Sequence, residues 1–179
     1  MISTEHHILP TIRRREPAKA QLVSLALNRD LNVHLSTSGQ LLSYEELGKE
    51  SLSLHAAWEL AAHNFLHLSH QEIRSEAIIF DPGGSSSPDG WVLSSPQVEV
   101  AGWLAHPRCF HLLEHTLIRR TGCQELAYLL ASPHRLYAIP REKLPFWSEL
   151  IMVSRWLSPV PLIYEHGFPK AHFSLVHAA

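Results

Sequence analysis

Two cysteines, Cys109 and Cys123, are all that the chain contains. That number cannot staple a disulfide scaffold or fill a four-cysteine zinc site. Aspartate is nearly as scarce. Asp30, Asp81 and Asp89 are the only three, all in turn-like surroundings, which argues against a Mg²⁺ carboxylate cluster. No apolar run approaches the ~18 residues of a membrane-spanning helix. Met1 to Arg15 carries charge and Pro10 and lacks the apolar stretch of a secretory signal. An excess of one charge is missing too: Lys+Arg 15 against Asp+Glu 17 leaves a formal charge of -2. No global basic field gathers phosphates, and basic residues cluster only at Arg13–Arg15 and Arg119–Arg120. The expectation is a cytoplasmic protein with neither nucleic acid nor a membrane as partner.

Several catalytic signatures are absent as well. There is no G-x-S-x-G, so Ser85 to Ser87 lack the strand–elbow–helix context of a nucleophile. The glycine-rich tract Asp81–Gly90 has neither a following lysine nor a G-x-G-x-x-G and cradles no phosphate. His70-Gln71-Glu72 gives an H-x-E, but no P-C-x-x-C follows, so the ligand count excludes a zinc deaminase.

What the chain does have is an ordinary globular composition, 45% hydrophobic and 18% charged over 179 residues, which suits one domain. It also has 14 histidines. Imidazoles titrate near ~6.5, so mild acidification would add up to fourteen positive charges to a molecule that starts at -2. Solvated imidazoles would account for this load, and so would a pH-responsive partner surface.

Residues 1–20 read as an extended N-terminal arm, because Arg13-Arg14-Arg15-Glu16-Pro17 interrupts any pattern. Residues 21–179 read as a single α+β domain. Leu31, Val33 and Leu35 alternate with Asn32, His34 and Ser36, and Asn28-Arg29-Asp30 supplies turn chemistry, so a β-hairpin is expected, with a second turn at Ser36–Gly39. Ser43-Tyr44-Glu45-Glu46 has the form of a capping box for a short helix ending at Gly48. A longer helix is predicted from Ser53 to about Ser69, with Leu54, Ala57, Trp58, Ala61, Ala62, Phe65 and Leu68 on one face.

Strands are predicted at Ala77–Phe80, Trp91–Leu93 and Val98–Leu104, and a helix from Pro107 to a cap at Gly122. Two strands, Leu126–Ala131 and Leu136–Ile139, follow around Ser132-Pro133-His134. A third long helix is predicted over Lys143–Leu157, then a closing hairpin of Leu162–Glu165 and Ala171–Val176. The sum is α+β: a mainly antiparallel or mixed sheet with three sizeable helices.

The stretch LVSLALNRDLNVHLS leading into LLSYEELGKESLSLHAAWELAAHNFLHL, with Ala61-Ala62-His63-Asn64-Phe65-Leu66 at its end, resembles the YtpQ-like family of bacterial cytosolic proteins. LAYLLASPHRLYAIPREKL and the Leu157-Ser158 step before the closing hairpin are similar to that family too. The resemblance covers about Leu22 to Phe173. It implies this fold and a cytosolic location, and it assigns no activity and no catalytic residue.

One motif carries a mechanism. In His111-Leu112-Leu113-Glu114-His115 the two histidines share a helix face, so both imidazoles could ligate one zinc while Glu114 acts as base on the metal-bound water. Such a site needs a third ligand. Cys123, Glu142, Glu149 and Glu165 are candidates that nothing in the sequence singles out. The same residues also read as the wet stripe His111, Glu114, His115 and Arg119 of an amphipathic helix, opposite Phe110, Leu113, Leu117 and Thr121. His63, His67 and His70 repeat in the same way on the preceding helix.

Two functions follow as expectations. The first is a non-enzymatic module that binds a protein partner or forms a homo-oligomer, recognisable by exposed apolar surface on the sheet or on the Trp147/Trp156 helix. The second is a zinc-dependent hydrolase or lyase using His111 and His115 as ligands and Glu114 as base.

Overall fold

The computed structural model describes residues 7–16, 21–69, 73–80, 87–95, 97–147 and 156–172. The fold is α+β, with ten strands among the described residues arranged in two antiparallel sheets. The smaller sheet is built from β1 (Ile8–Arg14), β2 (Ser24–Ala26), β3 (Leu31–Thr37) and β4 (Gln40–Leu41), in the order β1-β3-β2 with β4 also on β3. The expected hairpin is β2–β3, and Asn28 Oδ1 closes its turn by accepting the Asp30 and Leu31 N–H groups. Ser38 and Gly39, both at positive φ, make the next turn, as a two-residue hairpin loop requires.

The N-terminal arm is the first correction: residues 8–14 of it are strand β1, paired along its whole length with β3. Ile8 and Ile12 are buried, and Thr11 donates to Glu99. Two of the arginines are anchored. Arg13 pairs with Glu99 at 3.2 Å, and Arg14 donates to the carbonyls of Trp156 and Leu157. Pro10 is tolerated because of register. The Arg15 N–H to Asp30 bond sets the odd residues of β1 as the hydrogen-bonded pairs, so the missing N–H of Pro10 points away from β3.

Helix α1 (Tyr44–Lys49) begins with the expected capping box, Ser43 and Glu46 satisfying each other's backbone N–H. Gly48 does not end it. The reversal falls at Ser51 (φ 54°), where Leu52 N–H reaches Leu47 O and Ser51 N–H reaches Gly48 O in a Schellman closure. Helix α2 (Leu54–Leu68) runs between Ser53 and Ser69 and buries Ala57, Ala61, Ala62 and Phe65. Asn64 donates to the Ile8 carbonyl and ties α2 to β1.

The larger sheet contains β5 (Arg74–Ile78), β6 (Gly90–Ser94), β7 (Leu126–Ser132), β8 (Arg135–Pro140), β9 (Leu162–Glu165) and β10 (Phe168–Ala171), in the order β10-β9-β7-β8-β6-β5. Helix α3 (Pro107–Thr121) lies on one face, ended by Gly122 at φ 75°. On the other face Leu144, Trp147 and Trp156 cover Ala127, Leu129 and Ile139. Residues 144–147 are helical, 148–155 of the expected third long helix lie outside the described residues, and Trp156 and Leu157 at its expected end are not helical. The closing hairpin is tighter than predicted, β9 and β10 turning at His166 and Gly167. The tract 81–86 is outside the described residues as well.

The expected strand Val98–Leu104 is instead a 3₁₀ helix over Val100–Leu104. All five of its residues are buried, which the alternation of a half-buried strand does not allow. A Cβ on Gly102 would fall 2.3 Å from the Phe65 ring, so only glycine lets this segment sit on α2. No helix among the described residues is long and apolar enough to cross a membrane.

The corrected role of residues 8–14 has a direct test. Ile12→Ala should cost about 2–5 kcal/mol in urea unfolding, the range for emptying a packed core site. A change of a few tenths would return the segment to a solvated arm.

Candidate functional site

The HLLEH motif sits in the middle of α3, and packing splits it. Phe110, Leu113 and Leu117 are buried against the larger sheet, as the apolar stripe predicts. Tyr128 on β7 lies opposite Leu162 on β9, and Tyr164 is two residues further along the same face, so all three meet α3. The Phe110 ring packs edge-on to both tyrosines, with centroids 5.1 Å away in each case.

Glu114 belongs with this inner group, which corrects its expected place on the wet stripe. Its Oε2 accepts the hydroxyl of Tyr128, itself fully buried. Burial pushes the Glu114 carboxyl above the ordinary carboxylate range, and the Tyr128 hydrogen bond pulls it back only in part. Burial first, and then the neighbouring carboxylate, pushes the Tyr128 phenol well above its usual value. The pair joins one buried phenol donor to one half-buried acid.

His111 and His115 are exposed on the outer side of the helix, their ring centroids 6.0 Å apart. The Nδ1 of His111 is 3.1 Å from the Tyr164 hydroxyl. Helical spacing therefore brings the two histidines together but turns Glu114 toward Tyr128. The candidate third ligands are dispersed. Glu165 is paired with Lys170 at 2.6 Å, and Cys123 lies past the end of α3 with its N–H on Thr121. Glu149 is outside the described residues. Among the described residues no three His, Cys, Asp or Glu side chains are grouped to hold a metal ion. His63 and His67 are exposed on α2, and His70 is outside the described residues. Cys109 is buried beneath α2, and desolvation pushes its thiol up to about 12, so it is no nucleophile.

Two further features stand out, the first of them not legible in the sequence. One is a cleft of about 240 Å³ between the two sheets, with Leu9, Pro10, Phe65 and Val98 along its apolar wall and Glu99 and His134 at its rim. Glu99 is held by Thr11 and Arg13, with His134 at 4.0 Å. Its residues come from five separate segments, so no local pattern announces it. The other is the exposed apolar surface beside Trp147. Ile79, Phe80 and Phe146 are 50%, 54% and 72% exposed. Phe80 still packs edge-on to Trp147, 5.0 Å between centroids.

No family model, no curated protein and no solved structure matches the chain.

The environment of Glu114 predicts a stability signature. A carboxyl whose value is raised in the fold favours the protonated form, so its contribution to stability is present below the ordinary carboxylate value and lost as pH rises through the raised one. Glu114→Gln keeps an acceptor for Tyr128 without the charge. It should raise the melting temperature at pH 7 and lose that advantage near pH 4. A variant less stable than wild type at pH 7 would show that the charged form is what the site holds.

Proposed function

We propose that this protein is a cytoplasmic, non-enzymatic association module that docks another protein chain on the apolar surface formed by Ile79, Phe80 and Phe146. The observation that supports the reading is the exposure of Phe80 and Phe146 around one neutralised ion pair, with the exposed Ile79 next to Phe80 in the chain. Lys143 Nζ is 3.2 Å from Asp89 and 5.8 Å from the Phe146 ring centroid. Asp89 in turn accepts the Phe80 N–H at 2.9 Å, and this bond, with the lysine, holds its carboxyl below the usual range. Phe80 and Phe146 thus flank a pair whose charges cancel.

Large apolar side chains beside one another in water are worth ~1.5–3 kcal/mol each when fully covered. A surface of this kind marks an association site more often than a catalytic one. Because the Lys143–Asp89 pair on this surface is internally neutralised, these two charges do not oppose a second copy, and a homo-oligomer is the first assembly to test. The mass of wild type followed by sedimentation over a hundredfold concentration range should show self-association. The Phe80→Ser/Phe146→Ser variant should remain a monomer with unchanged circular dichroism. Wild type that is monomeric throughout, or a variant that associates equally, would overturn this reading of the surface.

The zinc-dependent alternative is decided by metal content. Protein purified without a nickel column should carry well under one equivalent of zinc, and His111→Ala/His115→Ala should not change that figure. About one equivalent, lost in the double variant, would replace the association module with a metal enzyme.

A further inference from the structure

The junction between α2 and the start of α3 is built around one buried imidazole. His106 immediately precedes α3 and is only 3% exposed. Its Nδ1 accepts the Arg108 backbone N–H at 3.2 Å, the bond a serine or asparagine makes at an ordinary helix start. An acceptor nitrogen carries no proton, so the ring hydrogen is on Nε2, which faces Glu59 Oε1 on α2 at 3.3 Å. The ring also packs against Trp58, centroids 4.4 Å apart, and the Trp58 indole N–H donates to the Ala105 carbonyl at 3.1 Å. α2 and α3 are therefore joined through a histidine that must be neutral to do its work.

We infer that this junction is an acid-sensitive latch: protonation of His106 removes the cap of α3 and loosens its first turn against Trp58 on α2. Three physical effects act together. The new Nδ1–H points at a backbone N–H, exchanging an acceptor for a second donor. The charge arises at the positive end of the α3 dipole, where cations are disfavoured. It also arises in a buried place, beside Arg108 on α3 and His55 on α2, with Glu59 as the one group favouring it. Burial outweighs Glu59, and the His106 imidazole lies below the ordinary histidine range. For a group depressed in this way, the stability it contributes is complete above the ordinary value of ~6.5 and is lost as pH falls through the depressed one.

The consequence is local. Pro107, the first residue of α3, is also the surface on which the β9–β10 turn rests, a Cβ on Gly167 falling 2.8 Å from Pro107 Cβ. Opening the latch therefore loosens the contact of this hairpin as well, on the side of the molecule that carries the exposed Phe168.

Hydrogen exchange of the Arg108–His111 amides, corrected for the intrinsic pH dependence, tests this between pH 7.5 and 4.5. With one linked proton, protection should fall by up to about tenfold per pH unit between the ordinary histidine value of ~6.5 and the depressed value of His106 in the fold, and level off below it. His106→Asn keeps a capping acceptor that does not titrate here, and its protection should be flat over the same range. Glu59→Gln removes the one charge favouring the imidazolium and should move the wild-type transition to lower pH. Wild-type protection independent of pH, an Asn variant that retains the transition, or a Glu59→Gln shift to higher pH would each overturn the latch.

Discussion

Burial of β7 on both faces is the constraint from which most of the architecture follows. Leu126 to Leu130 are five consecutive buried residues, so the strand has no solvent face and needs a layer on either side. α3 supplies one layer, with Phe110, Leu113 and Leu117 meeting Tyr128 and Leu130 in the main core. Trp147 and Trp156 supply the other, over Ala127 and Leu129. Once those layers are set, the partners β8 and β9 have nowhere to pair except beside β7. The smaller sheet is then joined to the main core through Ile12, Leu31 and Val33.

The same constraint sorts the polar residues of α3. A helix laid on a two-sided sheet keeps only part of its circumference in water. His111 and His115 fall on that part, and Glu114 does not. An acid forced inward has to find a donor, and Tyr128 provides it from the strand below. At the head of the helix a histidine meets the complementary demand, because the first backbone N–H groups need an acceptor. His106 and Glu114 are thus opposite solutions to burial. One is a base held neutral by the cap it provides, and the other is an acid pushed toward neutrality beside a phenol.

Edges are handled by chemistry rather than by length. β1 ends the smaller sheet, and Pro10 withholds one N–H on its outer side while Asn64 takes the Ile8 carbonyl. β5 ends the larger sheet with Arg74 and Glu76 on the face that also carries Ile78, charges that discourage pairing with another strand. The apolar surface begins just past that protected edge, at Ile79 and Phe80. Association by side-chain packing on this surface suits such an edge better than association by extending the sheet.

Local sequence determined the local structure. The Ser43/Glu46 box, the Ser53 start, the stripe through Phe65, Pro107 and Gly122 around α3, and the turns at Asn28 and Gly39 all act within a few residues. Each could be read because neighbouring side chains compete for the same backbone groups. The strand β1 was hidden because three arginines look solvated until Glu99 is brought to Arg13 and the Trp156 and Leu157 carbonyls to Arg14. The 3₁₀ segment was hidden for a similar reason, since Gly102 is explained only by the Phe65 ring above it. In the candidate site the spacing of His111 and His115 was legible, whereas the inward turn of Glu114 was not. Periodicity tells which residues share a face of a helix. Which of those faces meets water, and which polar atom finds a partner there, is settled only when the tertiary structure lays another element against it.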